Sequence, residues 1–170
     1  LGRESTNADI AAYVALYPLA NKRVLGRIQL EPEPIEYYRT LSLALAHATV
    51  YGRCVVSDLT EVDWPEAVAE VADLLVRYEA VNSALCYGVY RETLHLSLRT
   101  RDSDADAGRV MRRIVSRLGS GGGHDAMAGG QVPLQHLPAL DRKRVMLVIL
   151  RRFLRSVNVR KTEGRPLLAK

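Results

Sequence analysis

Alternating apolar and polar residues identify the best-defined strand of the chain. Over positions 93–99 the order is Thr-Leu-His-Leu-Ser-Leu-Arg. Side chains of a strand point alternately to two faces, so the leucines are predicted to be buried while Ser97 and Arg99 project side by side from the other face. The β-rich run 84–90 ends just before, and the short connection at 91–92 predicts a hairpin. An ordinary solvated sheet face gives the same pattern.

Apolar residues at three- and four-residue spacing predict helices in most of the remaining chain. Five helices are predicted, with approximate bounds 7–17, 35–51, 63–78, 106–118 and 141–157. Asn7 or Asp9 is expected to cap the first, and Gly52 to end the second. A further strand is predicted at 54–59. Strands interspersed with helices predict a mixed α/β (α+β) fold, with a central mixed sheet of about five strands flanked by helices.

A proline-spaced segment, Glu31-Pro32-Glu33-Pro34, divides these patterns into two parts. Residues 35–170 are predicted to form one domain of ordinary size, and residues 1–34 a linker or helical segment. The chain opens on Leu1 without an initiator methionine. We therefore expect that it is a piece of a longer polypeptide.

The composition excludes several classes of protein. Hydrophobic residues make up 48% and charged residues 25% of the 170, with mean hydropathy −0.07, which is typical of a folded globular chain and not of a disordered or fibrous one. The longest apolar run, 145–150, is too short to span a membrane, and we expect no signal segment, because no basic stretch followed by an apolar one opens the sequence. Cys54 and Cys86 lie singly in apolar runs, which favours buried, reduced thiols in the cytoplasm.

Charge is distributed unevenly along the chain. Residues 1–100 carry 9 Lys and Arg against 13 Asp and Glu, a net charge of −4, whereas residues 101–170 carry 15 against 6, a net charge of +9. The basic C-terminal part is where a polyanionic partner would be held. The same excess of positive charge is also expected if the arginines only form a solvated helix face and bind no partner.

The segment 120–130, Ser-Gly-Gly-Gly-His-Asp-Ala-Met-Ala-Gly-Gly, is the least ordinary stretch. Gly121, Gly122 and Gly123 are expected to form a concave row of backbone N–H donors around an anionic oxygen, and His124 to add an imidazole donor. The small residues that follow predict a tight turn or a short helix whose N-terminus adds to the anion site. A flexible connector has the same composition.

Other chemistries find no support in the sequence. The glycines are not followed by the Lys-Ser/Thr of a phosphate-binding Walker loop. They also lack the GxGxxG spacing that follows a strand in dinucleotide-binding domains. No serine lies in a nucleophile-elbow context. The four histidines are not paired at ligand spacing with carboxylates. The chain is predicted to contain neither catalytic nor metal-binding residues.

A family resemblance rests on two motifs. Residues 121–130, GGGHDAMAGG, resemble the GGGHxxAAG signature of the DHH-associated C-terminal domain of DHH-family phosphoesterases. Ser97-Leu98-Arg99-Thr100 is similar to that domain's S-x-R-S strand end. A helix separates the two motifs, as in the family, and the resemblance covers residues 35–155. Met127 and Thr100 depart mildly from the commoner Ala and Ser.

The resemblance implies a function. The family's catalytic lobe holds two metal ions, usually manganese, with an Asp-His-His motif that this sequence lacks. The chain would then be the substrate-binding lobe of a nanoRNase-, pAp-phosphatase- or RecJ-like phosphodiesterase or exonuclease acting on short RNA, pAp or cyclic dinucleotides. It would be inactive alone, with manganese in the missing lobe and no cofactor of its own. The residues implied to bind substrate are Ser97, Arg99, Gly121, Gly122, Gly123 and His124.

Two other readings stay open at this point. One is a stand-alone RNA-binding module, because similar domains end alanyl-tRNA synthetases, although their glycine runs generally lack a residue like His124. The other is a structural or dimerisation domain with a tight glycine connection. A nucleotide or short single-stranded nucleic acid, the catalytic lobe and a second copy of the chain are the partners considered; a membrane is not.

Overall fold

The structure is a computed structural model that describes residues 5–29, 32–102, 105–135, 138–159 and 163–169. The chain divides into two compact units, Leu1–Pro34 and Ile35–Lys170. The first contains helix α1 (Asn7–Leu16), a 3-10 helix (Tyr17–Leu19) and helix α2 (Lys22–Gln29). That residues 1–34 connect this domain to a preceding catalytic lobe stays a prediction.

The cap of α1 differs from the expected one. Thr6 is the N-cap: its hydroxyl accepts from the Asp9 N–H at 3.2 Å, and its own N–H donates to the Asp9 carboxylate at 2.8 Å. The pair is a capping box, in which two end donors are satisfied reciprocally. Asp9 is therefore the third helical residue and not the cap.

The second unit contains four helices and seven strands among the described residues, so the mixed α/β prediction is confirmed and the estimate of about five strands was low. Its elements are α3 (Ile35–His47), β1 (Thr49–Tyr51), β2 (Cys54–Glu61), α4 (Ala67–Leu75), β3 (Ser83–Tyr90), β4 (Thr93–Thr100), α5 (Ala107–Val115), β5 (Ser120–His124), β6 (Met127–Pro133), α6 (Ala139–Ser156) and β7 (Arg165–Pro166).

One seven-stranded sheet has the order β5-β6-β4-β3-β2-β1-β7. Neighbouring strands in this sheet pair antiparallel, except β2 and β3, which run parallel. A parallel pair needs a crossover connection, and α4 provides it. The predicted hairpin is confirmed: β3 and β4 pair from Ser83↔Thr100 to Tyr90↔Thr93.

Each face of the sheet has its own core. The three leucines of β4 are almost wholly buried under α5 and α6, as their alternation predicted. The opposite face packs on α3 and α4, with Val55, Ala84 and Cys86 among the buried residues. This layering leaves the polar positions of β4 on the α4 side.

Two predicted helix boundaries were wrong. The helix from Ile35 ends at His47, because residues 49–51 pair with β2, and Gly52 lies at φ +59° in the turn between those strands. The helix expected from Asp63 begins at Ala67. Buried apolar residues lie beyond both boundaries, Val50 after α3 and Val62 before α4, so the hydrophobic pattern does not mark where these helices end or begin.

The glycine segment, expected to be a loop followed by a tight turn or a short helix, forms two strands joined by a two-residue turn at 125–126. Residues 120–124 are β5, at one edge of the sheet, and residues 127–133 are β6. Close packing accounts for part of the glycine content: a Cβ on Gly108 of α5 would lie 2.1 Å from the Gly123 carbonyl oxygen. Glycines here let a helix and a strand approach each other.

Within the described ranges, no helix combines the length and the apolar content that crossing a membrane requires.

Candidate functional site

A cleft of about 480 Å³ lies on the α4 side of strands β4, β5 and β6. Its apolar wall comes from Pro65, Val68 and Ala69, just before and within α4. Five of the six predicted binding residues line it, namely Ser97, Arg99, Gly121, Gly123 and His124. The structure therefore brings the two sequence motifs together, although their binding roles stay predictions.

Strand register arranges the cleft floor in three cross-strand rows, each with one residue from β4, β6 and β5. These are the cationic row Arg99–Met127–His124, the glycine row Ser97–Gly129–Gly122 and the polar row His95–Gln131–Ser120. Paired residues of antiparallel strands share a face. Successive rows are two residues apart, so the outer rows are separated by about 14 Å.

The glycine row makes the middle of the floor flat. A Cβ on Gly122 would meet nothing within 4 Å, and one on Gly129 would meet only the Leu96 carbonyl oxygen, at 3.8 Å. Gly122 does not itself line the cleft, but its register places it on the same face. A planar group can therefore approach the backbone closely here.

The expected concave row of glycine N–H groups is not present. Of the three glycines only Gly123 has a positive φ, +154°, and all three pair with β6. Gly121 is constrained by Met111, whose Cγ would lie 2.9 Å from an added Cβ. The glycines thus serve packing and a bare floor, because an extended strand cannot curve its donors around one oxygen.

Arg99 is fixed in place before any ligand arrives. Its Nε lies 2.6 Å from Asp73 Oδ1 and its Nη2 3.2 Å from Asp73 Oδ2, a two-point pair, while Nη1 donates to the Ser97 hydroxyl at 2.9 Å. The arginine side chain is only 15% exposed. A bidentate carboxylate holds the guanidinium in one plane.

His124 stands at the other end of the cationic row and is held loosely. Its side chain is 77% exposed, and Nδ1 lies 3.3 Å from the Asp125 carboxylate. Asp125, at φ +42°, begins the two-residue turn that joins β5 to β6. The imidazole is therefore accessible to a ligand in the cleft.

Sequence reasoning missed two residues that line the cleft, His95 and Gln131, and Asp73, which holds Arg99. Asp73 gave no signal, because only the crossover through α4 brings it to β4. His95 and Gln131 line the same cleft; His95 shares the alternating polar face of Arg99, which was the available signal. Burial lowers the pKa of His95, opposed by the Glu66 carboxylate, and its ring meets Tyr90 edge-on at 6.1 Å.

The two cysteines stand apart from this chemistry. Both are buried and free of disulfides. Burial raises the pKa of the Cys54 thiol to about 11 and raises the pKa of Cys86 still further. Neither is a thiolate nucleophile at neutral pH.

Fold and cleft together define a mixed α/β domain with an open polar groove on a glycine-rich sheet face. The DHHA1 domain family model matches residues 52–148, more than half of the chain, and includes every residue of the three rows. The chain belongs to the DHHA1 domain family.

Three similar proteins span most of this chain. An uncharacterized protein of Methanocaldococcus jannaschii is 23% identical over 155 residues, 91% of this chain and 32% of that protein. An exopolyphosphatase-related protein from Bacteroides fragilis has a similar structure, with TM-score 0.64, 15% identity, and 92% and 46% of the two chains covered. RecJ from Thermus thermophilus, at TM-score 0.45 and 16% identity, covers 94% of this chain and 27% of its own.

The similarity to the exopolyphosphatase-related structure concerns the fold alone. The chain spans about a third of the curated relative and just under half of the exopolyphosphatase-related chain. What the longer proteins do is therefore a matter for proposal.

Proposed function

We propose that the Ile35–Lys170 unit binds the phosphate of a nucleotide or short single-stranded oligonucleotide, as the substrate-binding lobe of a metal-dependent DHH-family phosphoesterase. The observation that carries the proposal is the cationic row. Register places Arg99 and His124 two strands apart, about 10 Å between backbones, on either side of Met127. Two long polar side chains at that separation can both reach one phosphate.

Two residues that hydrogen-bond to Arg99 support a positioning role. Ser97 and Asp73 fix the guanidinium, so little side-chain entropy is lost when a phosphate binds. Holding a phosphodiester in one orientation is a substantial part of phosphoryl-transfer catalysis. This lobe would therefore affect rate as well as affinity.

The metal chemistry would come from elsewhere in the longer protein. The described residues contain no group of three or more His, Cys, Asp or Glu placed to hold a metal ion, so no step is assigned to a metal in this chain. Manganese in a catalytic lobe would activate the water and stabilise the leaving oxygen. The residues of this chain would hold the substrate against it.

Binding of a fluorescently labelled tri-adenylate RNA, measured by anisotropy, tests the proposal. Arg99→Ala is expected to weaken binding roughly tenfold, since a charged hydrogen bond is lost, and His124→Ala several-fold. Affinity of the parent should fall as salt rises from about 50 to 200 mM. Arg113→Ala, an exposed arginine on the α5 side of the sheet, is the matched control.

Circular dichroism of each variant separates lost binding from lost fold. Parent-like binding by both cleft variants would contradict the proposal. A folded hairpin RNA bound more tightly than the single strand, with no effect of either substitution, would favour the stand-alone RNA-binding module instead.

A further inference from the structure

The polar row His95–Gln131–Ser120 has no part in phosphate binding as argued above. It lies at the far end of the cleft floor, about 14 Å from the cationic row. Gln131 and Ser120 are exposed, and His95 is half-buried. All three line the cleft. Three hydrogen-bonding side chains on adjacent strands face one open space.

We propose that this row is a nucleoside subsite, which recognises the sugar hydroxyls or base edge of a nucleotide whose phosphate lies at the cationic row. The inference rests on the proposed function. It adds that the cleft selects a whole nucleotide and not phosphate alone.

The chemistry of the row fits that part of a nucleotide. Gln131 carries both an amide donor and an amide acceptor, and the Ser120 hydroxyl donates and accepts. Base edges and sugar hydroxyls offer the same mixture, whereas a second phosphate would require cations. The row contains no lysine or arginine.

His95 is suited to the same task. Its burial favours the neutral ring, with one donor and one acceptor nitrogen, and Glu66 is the charged group that opposes this. The edge contact with Tyr90 restricts the ring's orientation. A neutral imidazole in a fixed orientation can distinguish a donor from an acceptor on the ligand, and it contributes no charge to phosphate binding.

The surfaces between the outer rows fit the intervening part of a nucleotide. The bare glycine row admits a flat ring or a sugar against the backbone. Beside it, Pro65, Val68 and Ala69 give the wall its apolar contact area. About 14 Å along the strands accommodates phosphate, sugar and base laid end to end.

Competition against labelled tri-adenylate by AMP, ribose 5-phosphate and inorganic phosphate tests the subsite. The parent should bind AMP at least tenfold more tightly than inorganic phosphate. Gln131→Ala and His95→Ala should each weaken AMP about two- to tenfold, one lost hydrogen bond apiece, and leave inorganic phosphate unchanged. Gln135→Ala, an exposed glutamine just after β6, is the control.

The outcomes separate the two proposals. Failure of the parent to bind any nucleotide contradicts the proposed function. Parent binding that Arg99→Ala weakens, with AMP affinity unchanged in both Gln131→Ala and His95→Ala, contradicts the subsite alone. Because Gln131 is exposed, its variant remains informative even if His95→Ala fails to fold. Equal losses for AMP and ribose 5-phosphate would assign the row to the sugar, and a loss for AMP alone to the base.

Discussion

Gly122 and Gly123 are neighbours in β5 with opposite steric demands. A Cβ on Gly123 would lie 2.2 Å from the Met127 carbonyl oxygen and 2.5 Å from the Ala128 Cα, at φ +154°. A Cβ on Gly122 would enter open space. Two adjacent glycines thus differ in kind: the fold requires a glycine at position 123, whereas position 122 has space for a side chain.

This difference predicts unequal stability of two alanine variants. Gly123→Ala is expected to lower the free energy of unfolding by about 2 kcal/mol or more, because of backbone strain and overlap with β6. Gly122→Ala should unfold like the parent. Urea unfolding followed by circular dichroism checks both, and coincident midpoints for the two variants would contradict the steric argument.

Single residues of the site were predictable only in part. Alternation placed Arg99 on a polar face and the motif singled out His124, and both line the cleft. The glycine conformation was predicted wrongly, because the same composition permits a curved loop and an extended strand. Asp73 was unpredictable, since its pairing with Arg99 joins residues 26 apart through a crossover.

At the scale of elements, periodicity worked where side chains are large. The β3–β4 hairpin and the helix α6 follow from their apolar positions. In β6 the buried and exposed positions also alternate, but the buried ones include Ala128 and Gly130. Small residues give no hydrophobic contrast, so β5 and β6 were not predicted and the number of strands in the sheet was underestimated.

One contact between elements predicts a stability effect away from the cleft. Arg152 of α6 donates from Nη1 to the carbonyl oxygens of Ile114 and Ser116, both at 2.8 Å, at the C-terminal end of α5. Arg152→Ala should lower the free energy of unfolding by about 1–3 kcal/mol, because helix-end carbonyls lose a charged partner.

Arg151→Ala is the matched control, since Arg151 is exposed on the same helix. Thermal or urea unfolding should distinguish the two variants, while both bind tri-adenylate like the parent. An Arg152→Ala variant as stable as Arg151→Ala would show that the contact contributes nothing to stability.

At the scale of the whole molecule, the chain is a mixed α/β domain of the DHHA1 family. Strands β4, β5 and β6 form the floor of the cleft, and α4 with the residues just before it forms the wall. All four elements belong to one unit. Sequence reasoning predicted the fold class because layers follow from element order. It left the substrate open, because cleft depth depends on packing between elements.

The account in which a separate catalytic lobe supplies the metal chemistry predicts that this chain alone does not hydrolyse nucleic acid. Tri-adenylate incubated with the chain and added manganese should remain intact by chromatography, because under the proposed function the residues of this chain only bind and orient the substrate. Clear turnover by the chain, abolished in Arg99→Ala, would overturn that account and place the chemistry within these residues.

The pairing of Arg99 with Asp73 has a consequence for how long a ligand stays. A phosphate bound as proposed would contact a guanidinium that Asp73 already holds by two hydrogen bonds, and that pair would remain when the ligand leaves. Dissociation therefore leaves no bare, half-buried charge, which would otherwise slow it. On the proposed function, the cleft would therefore release its ligand quickly and be free to bind the next one.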